Sequence, residues 1–313
     1  MPRTHKKSYI PTAIDRDILE LVYKWRYVTA DQIRRYRKQS ENSLHDIQRR
    51  LKILVEEGYL YPCRLWRDTP AGRLPFVYTL DTAGVTFLTD LGLDAKKYFR
   101  SDRKHNPALF PHNLAVNEVA LAAIALCEQE PRITLHKVLH DWELKGAQYR
   151  VTLFRDTPTA RNSESVEFVP DLWLDFRITT NEQTMQACLF IEVDMDTYTS
   201  RERFQKKIAA YCEFINSGQY SQTFHTTSVG IAYLTPKGDA RRDEMKLLCE
   251  QQLRHTPVWR PTASPGEHQS GMNDTGLFLF GAVLAGSLNP IDTFLSPITY
   301  APFDTHPQPL LQL

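Results

Sequence analysis

The first sixty residues contain three stretches in which apolar side chains recur every three or four positions, the spacing of an amphipathic helix. The first helix is predicted over residues 11–25, with Thr12 as its cap and Asp15 completing a capping box. A short second helix begins at Thr29, and a third runs from a cap at Ser40 to a left-handed stop at Gly58.

A β-hairpin is predicted after these helices. An extended segment that begins at Tyr59 and a run from Phe76 to Leu80 flank a loop rich in Pro and Gly, residues 68–75. A further helix over residues 82–91 would close the domain. Three helices and a hairpin follow the order of a winged helix-turn-helix, so we expect this fold in residues 1–93.

The rest of the chain has a different pattern. Residues 94–111 are polar, basic and without periodicity, which is typical of a linker. Residues 112–255 alternate helical and strand-like runs, which predicts an α+β or α/β domain with a mixed sheet flanked by helices. Within it, the polar segment 156–165 is interpreted as a loop. In the Pro-rich extension 256–313, we expect a strand at residues 277–280 and an irregular strap elsewhere.

Net charge differs between the N-terminal third of the chain and the remainder. Residues 1–104 hold 21 Lys and Arg against 13 Asp and Glu, a net of +8, whereas residues 105–313 hold 17 against 24, a net of −7. Such a split suggests that the N-terminal third of the chain meets a polyanion. Two differently charged, solvated faces would give the same counts.

The third helix carries the candidate contacts with DNA. His45, Gln48, Arg49 and Lys52 are spaced i, i+3, i+4 and i+7 and form one stripe. Arg can read guanine and Gln can read adenine in the major groove, where such a helix fits. Further basic candidates lie in the hairpin and the second helix: Arg64, Arg67, Arg73, Arg34 and Arg35. The alternatives to DNA contact are a helix face that is simply solvated and a winged helix that binds another protein.

Composition narrows the class of protein. The five cysteines form no CxxC pair, which argues against a disulfide scaffold and a Cys-type zinc site. The N-terminus is basic and lacks an apolar signal core. The longest apolar run, residues 277–285, is far shorter than the ~20 residues that span a bilayer. We therefore expect a cytoplasmic protein that does not enter a membrane.

Acidic residues mark a candidate metal site in the second domain. Glu118 lies inside a largely apolar helix, and Asp171 follows Pro170 at the start of a strand. Glu192 and Asp194 share one face of a later strand, since strand side chains alternate. In the helix predicted over residues 200–217, a helical wheel places Lys207 about 70° from the apolar stripe, at its edge.

This order of elements resembles the PD-(D/E)xK nuclease fold, also called restriction-endonuclease-like. The resemblance implies Mg²⁺ or Mn²⁺ bound by Asp171, Glu192 and Asp194, and catalytic roles for Glu118, Asp171, Glu192 and Lys207. The chain departs from the family pattern because Asp194 stands where the lysine is usual. In variants of the fold the lysine moves to the following helix, which makes Lys207 the candidate.

The whole arrangement also resembles the replication-relaxation family of plasmid and mobile-element proteins, over roughly residues 10–235. The segments that carry the resemblance are DIQRRLKILVEEGYLY, FVYTLDTAGVTFL, HNLAVNEVALA, PDLWLDF and FIEVDMDTYTSRERFQKKIAAY. It implies a winged helix joined to a nuclease-like domain, acting in plasmid replication, DNA relaxation or mobilisation.

Three functions remain open at this point. The first is a double-stranded DNA-binding protein whose nuclease-like domain serves binding or assembly, which the aspartate in the lysine position favours. The second is an Mg²⁺-dependent DNA endonuclease or nickase, which the three carboxylates favour. The third is a protein-binding regulator. Other replication, mobilisation or transposition proteins are candidate partners, and the oligomeric state is open.

Overall fold

The computed structural model describes residues 9–64, 75–95, 109–145, 149–157, 160–180, 183–195, 200–256, 258, 275–283 and 288–313, without the side chains of residues 154–157 and 160–162. The chain forms two compact units, unit 1 (Met1–Asn117) and unit 2 (Glu118–Leu313). Helices and a mixed sheet of many strands define an α+β protein, as the sequence predicts.

The helices of unit 1 follow the predicted amphipathic pattern. They are α1 (Ala13–Trp25), α2 (Ala30–Tyr36), α3 (Leu44–Glu56) and α4 (Thr82–Asp90). The predicted capping box is confirmed, since the Thr12 side chain accepts from the Asp15 amide and the Asp15 carboxylate accepts from the Thr12 amide at 2.8 Å. Gly58 has φ of +76°, as a left-handed helix stop requires.

A small antiparallel sheet completes unit 1. Its strands are β1 (Val28–Thr29), β2 (Leu60–Cys63) and β3 (Val77–Leu80), in the order β1-β3-β2. The β2–β3 pair confirms the predicted hairpin, and its loop lies outside the described residues except at Pro75. β1 was not predicted, because two residues are too few to show an alternating pattern.

Helix α5 (Phe110–Gln129) begins two residues before the predicted start at residue 112. Its first turn belongs to the core of unit 1, where the Phe110 ring packs 4.9 Å from the Tyr27 ring. The Asn117 amide nitrogen donates to the Tyr27 carbonyl at 2.6 Å. Residues 96–108 of the predicted linker lie outside the described residues.

Unit 2 is built on a sheet to which seven of the described strands belong. The strands of this unit are β4 (Ile133–His140), β5 (Arg150–Thr157), β6 (Ala160–Glu167), β7 (Leu172–Thr180), β8 (Gln183–Val193), β9 (Gly230–Thr235), β10 (Phe278–Ala282), β11 (Thr299–Tyr300) and β12 (Pro307–Gln308). The sheet order is β12-β11-β10-β9-β8-β7-β4, and β5 pairs with β6 separately. β8, β9 and β10 run parallel, and the other pairs are antiparallel.

Helices cover both faces of this sheet. They are α6 (Arg201–Asn216), α7 (Gln219–Phe224), α8 (Asp239–Leu253) and α9 (Pro290–Phe294). Trp173 of β7 stacks on Phe224 of α7 with ring centroids 4.4 Å apart. Phe176, on the opposite face of the same strand, packs 5.6 Å from Phe294 of α9.

Two predictions about the second domain are wrong. The polar segment 156–165 is not a loop in its described residues, because 156–157 end β5 and 160–165 form most of β6 in a regular antiparallel ladder. In its described residues the C-terminal extension is not an irregular strap outside residues 277–280 either, because it also contributes α9, β11 and β12. The C-terminal residues Leu310 and Leu311 are buried.

Among the described residues, one helix, α5, is long and apolar enough to cross a membrane, judged by length and composition alone. Half of its most apolar stretch is buried inside the protein. A core helix passes the same test, so this helix is weak evidence for a membrane segment.

Candidate functional site

The α3 stripe, defined by His45, Gln48, Arg49 and Lys52, is exposed along its whole length. The opposite face of α3 is buried through Ile47, Leu51 and Leu54. The Arg49 and Lys52 side chains are 72% and 76% exposed. The helix therefore presents polar and basic groups to an external ligand while its apolar face anchors it.

The ion pairs made by the α3 stripe are weak, whereas the helix itself is held in place by an ion pair to a buried carboxylate. Arg49 lies 3.2 Å from Asp46, and Lys52 lies 3.8 Å from Glu56. Exposed pairs of this kind contribute about 0–1 kcal/mol, so they do not prevent contact with a phosphate. Arg50, in the same helix, donates to the buried Asp15 carboxylate at 2.7 Å and ties α3 to α1.

Other basic candidates of unit 1 are less accessible. Arg34 and Arg35 both pair with Asp31, at 2.7 and 2.8 Å, and their side chains are only 13% and 22% exposed. Arg34 also donates to the Gln39 carbonyl at 3.1 Å and so holds the end of α2. Arg64 is exposed, with its guanidinium 5.5 Å from the centre of the Phe76 ring. The predictions for Arg67 and Arg73 lie outside the described residues.

The carboxylate cluster, defined by Asp171, Glu192 and Asp194, lies at one end of β7 and β8. Leu172 pairs with Ile191 in the antiparallel ladder, so Asp171 lies across from Glu192. The Asp171 Oδ2 atom accepts a hydrogen bond from the Val193 amide at 2.8 Å. The structure thus brings together two residues that lie 21 positions apart in the sequence.

Glu192 is 2% exposed, and both of its oxygens have donors. Lys207 Nζ lies 2.6 Å from Oε2, and the Tyr211 hydroxyl lies 2.5 Å from Oε1. Lys207 Nζ also donates to the Val169 carbonyl at 3.1 Å. Burial raises the pKa of Glu192 to about 7, with a further increase from Asp171 and an opposing decrease from Lys207. Lys207 therefore reaches the cluster, as the helical wheel predicts.

Asp194 is 1% exposed and pairs with a residue of α8. Arg241 Nε donates to Oδ2 at 2.6 Å, and Nη2 donates to Oδ1 at 3.4 Å. These hydrogen bonds, opposed by burial, raise the pKa of the Arg241 guanidinium. The two-pronged geometry is the strong form of an arginine–carboxylate pair.

The arrangement of these residues does not fit a bound metal ion as it stands. Mg²⁺ needs several oxygen ligands free to approach within about 2.1 Å. Glu192 and Asp194 instead have their oxygens engaged by cations and a hydroxyl of the chain itself. Glu118 is half-buried on α5, and in the described ranges no three His, Cys, Asp or Glu side chains form a group that could hold a metal. Metal binding at the cluster remains a prediction.

Two residues of the cluster's surroundings were missed from the sequence. Tyr211 lies one helical turn after Lys207 and was assigned to the apolar stripe of its helix, although its hydroxyl faces Glu192. The i, i+4 spacing of a lysine and a tyrosine was the available signal. Arg241 lies 47 residues after Asp194, and no local pattern connects them.

The fold and the two sites together describe an α+β protein with an exposed basic helix in one unit and buried carboxylates at a sheet end in the other. The family model for replication-relaxation proteins matches residues 19–229. The chain belongs to the replication-relaxation family, as the sequence motifs indicate. Neither the curated proteins nor the solved structures gave a match.

Proposed function

We propose that this protein binds double-stranded DNA through α3 and acts in the replication, relaxation or mobilisation of a plasmid or mobile element. The observation that carries the proposal is the α3 stripe, whose basic and amide side chains are exposed on a helix with a fully anchored opposite face. The net charge of +8 in residues 1–104 also supports DNA as the ligand, because basic side chains bind its phosphates. Membership of the replication-relaxation family supports a role in replication or relaxation.

In this proposal unit 1 is a winged helix. The order α1, α2, α3 and then the β2–β3 hairpin supports it, with α3 in the position of the recognition helix. The exposed Arg64 at the end of β2 would then meet the DNA backbone from the wing. The protein would act in the cytoplasm, with other replication, mobilisation or transposition proteins as partners.

Unit 2, in the same proposal, is a restriction-endonuclease-like domain that serves binding or assembly. The strand pair that carries Asp171 and Glu192, followed by a helix with Lys207, supports the likeness to that fold. The internal partners of Glu192 and Asp194 support a non-catalytic role, because they take the oxygens that a catalytic metal would need.

The test is the affinity of the full chain for duplex DNA, measured by fluorescence anisotropy, for the wild type and Arg49→Ala. We expect the substitution to weaken binding by about 1–3 kcal/mol if Arg49 contacts a base edge. Arg16→Ala is the matched control, since Arg16 is also an exposed helical arginine paired with a nearby acid. An equal loss of affinity in both variants, or none in either, would exclude α3 as the contact surface.

A metal-dependent DNA endonuclease or nickase is the second candidate, and the contact between Lys207 and Glu192 favours it. A lysine on a carboxylate that lies across the ladder from a second carboxylate provides the groups that nuclease chemistry uses to stabilise phosphodiester cleavage. Cleavage of supercoiled plasmid in Mg²⁺ or Mn²⁺ that disappears in Asp171→Ala would replace the non-catalytic proposal with this one.

A further inference from the structure

The ammonium of Lys207 lies between two oxygen atoms that belong to different elements. Nζ is 2.6 Å from the Glu192 carboxylate and 3.1 Å from the Val169 carbonyl, and the lysine side chain is only 15% exposed. Asp171 lies across the ladder from Glu192 and raises the pKa of that carboxyl through its charge. A cation at this point therefore has two oxygen partners in a region of negative charge.

The need for a cation here follows from burial. Glu192 is almost wholly enclosed, and an ionised carboxylate without a partner in the interior is strongly unfavourable. Its two oxygens are satisfied by Lys207 and Tyr211, while Arg241 neutralises the neighbouring Asp194. The chain itself thus supplies positive charge at both buried carboxylates.

We propose that Lys207 occupies the cation position of the carboxylate cluster, so that its ammonium and a divalent metal ion exclude each other. Carboxylate and carbonyl oxygens are the hard ligands that Mg²⁺ and Mn²⁺ prefer, and two positive ions cannot share one set of them at this distance. On this proposal the wild-type cluster does not bind a divalent metal ion. Removal of the Lys207 side chain uncovers a latent site made of Glu192, Asp171 and the Val169 carbonyl.

Lys207 and its oxygen partners all belong to unit 2, so this competition does not depend on whether α3 binds DNA. It also differs from the expectation that the resemblance to nucleases implies, because there the lysine and the metal act together. Here the contact distances make them competitors for the same oxygen atoms.

The test is Mn²⁺ binding to the full chain, measured by electron paramagnetic resonance of free Mn²⁺ and by thermal unfolding with and without the metal. We expect no saturable binding to the wild type at millimolar Mn²⁺. Lys207→Ala should bind one equivalent of Mn²⁺ and gain at least about 2 °C in Tm from it, by mass action. The double variant Lys207→Ala/Glu192→Gln should lose that gain.

Lys206→Ala is the matched control, because the neighbouring lysine pairs with Glu164 and does not contact the cluster. Lys207→Gln, which keeps a long polar side chain without its charge, serves if Lys207→Ala does not fold. Mn²⁺ binding by the wild type that Asp171→Asn abolishes would overturn the inference. A folded Lys207 variant that binds no more Mn²⁺ than Lys206→Ala would overturn it equally.

Discussion

At the scale of single residues, Asp15 shows how unit 1 holds α3 in place. The carboxylate is fully buried and accepts hydrogen bonds from the Tyr9 hydroxyl at 2.6 Å, the Thr12 amide at 2.8 Å and the Arg50 guanidinium at 2.7 Å. Burial alone would raise the pKa of Asp15, but these donors outweigh it and lower the pKa below its usual value. Because Arg50 belongs to α3, ionised Asp15 fixes α3 against the start of α1.

Asp15→Asn should therefore destabilise the protein in a pH-dependent way. A carboxyl whose folded pKa is lowered stabilises the fold above its unfolded pKa of about 3.9, and this contribution is lost as pH falls through the folded pKa. The difference in Tm between the wild type and Asp15→Asn should be largest near pH 7 and shrink below about pH 4. Asp17→Asn, at an exposed position of the same helix, should show a smaller difference. A difference that does not change with pH would contradict the role of the ionised form.

The sequence predicts a residue of the candidate site only where the periodicity of a single helix or strand shows which way its side chain points. The wheel of α6 placed Lys207 at the edge of its apolar face, and the structure puts its Nζ on Glu192. Tyr211 was hidden because a tyrosine in an apolar stripe has the same pattern as any core residue. Arg241 could not be found, since the pairing of α8 with the end of β8 depends on how the sheet is ordered.

At the scale of elements, polarity and composition explain which parts of the fold were missed. The helices of unit 1 were predictable because one face of each is continuously apolar. β6 was not, because its sequence ARNSESVE has little apolar alternation and its regularity comes from pairing with β5. In the C-terminal segment, prolines suggested an irregular strap, whereas short strands add to the sheet edge beyond β10.

The C-terminal strands should be required for the stability of unit 2. β11 pairs with β10, β12 pairs with β11, and the Leu311 amide donates to the Phe294 carbonyl at 2.9 Å. A chain that ends at residue 297 loses these strands and exposes the edge of β10, which leaves unpaired backbone groups. We expect a lower Tm and faster cleavage in limited proteolysis.

The control is a chain shortened by only Gln312 and Leu313, which are exposed at the C-terminus. This truncation should leave the Tm within experimental error of the full chain. If the longer truncation had the same Tm as this control, the C-terminal strands would not contribute to the stability of unit 2.

At the scale of the whole molecule, attraction to a polyanion depends more on how charge is distributed along the chain than on the total net charge. The formal net charge is only +1, yet the first 104 residues carry +8 and the remainder −7. A basic first part would attract a polyanion such as a phosphate backbone, whereas an acidic remainder would be repelled by it. The overall pI of about 7.7 therefore conceals the property that distinguishes the two parts.

DNA binding through α3 is tested most directly by the salt dependence of duplex DNA affinity, measured by fluorescence anisotropy between about 50 and 200 mM salt. The wild-type affinity should fall linearly on logarithmic axes, because Lys and Arg contacts release counterions from the phosphates. Lys52→Ala should reduce the slope by about 1, whereas Arg16→Ala should leave it unchanged. A wild-type affinity that does not depend on salt, or a slope that is the same in Lys52→Ala as in the wild type, would contradict DNA binding through α3.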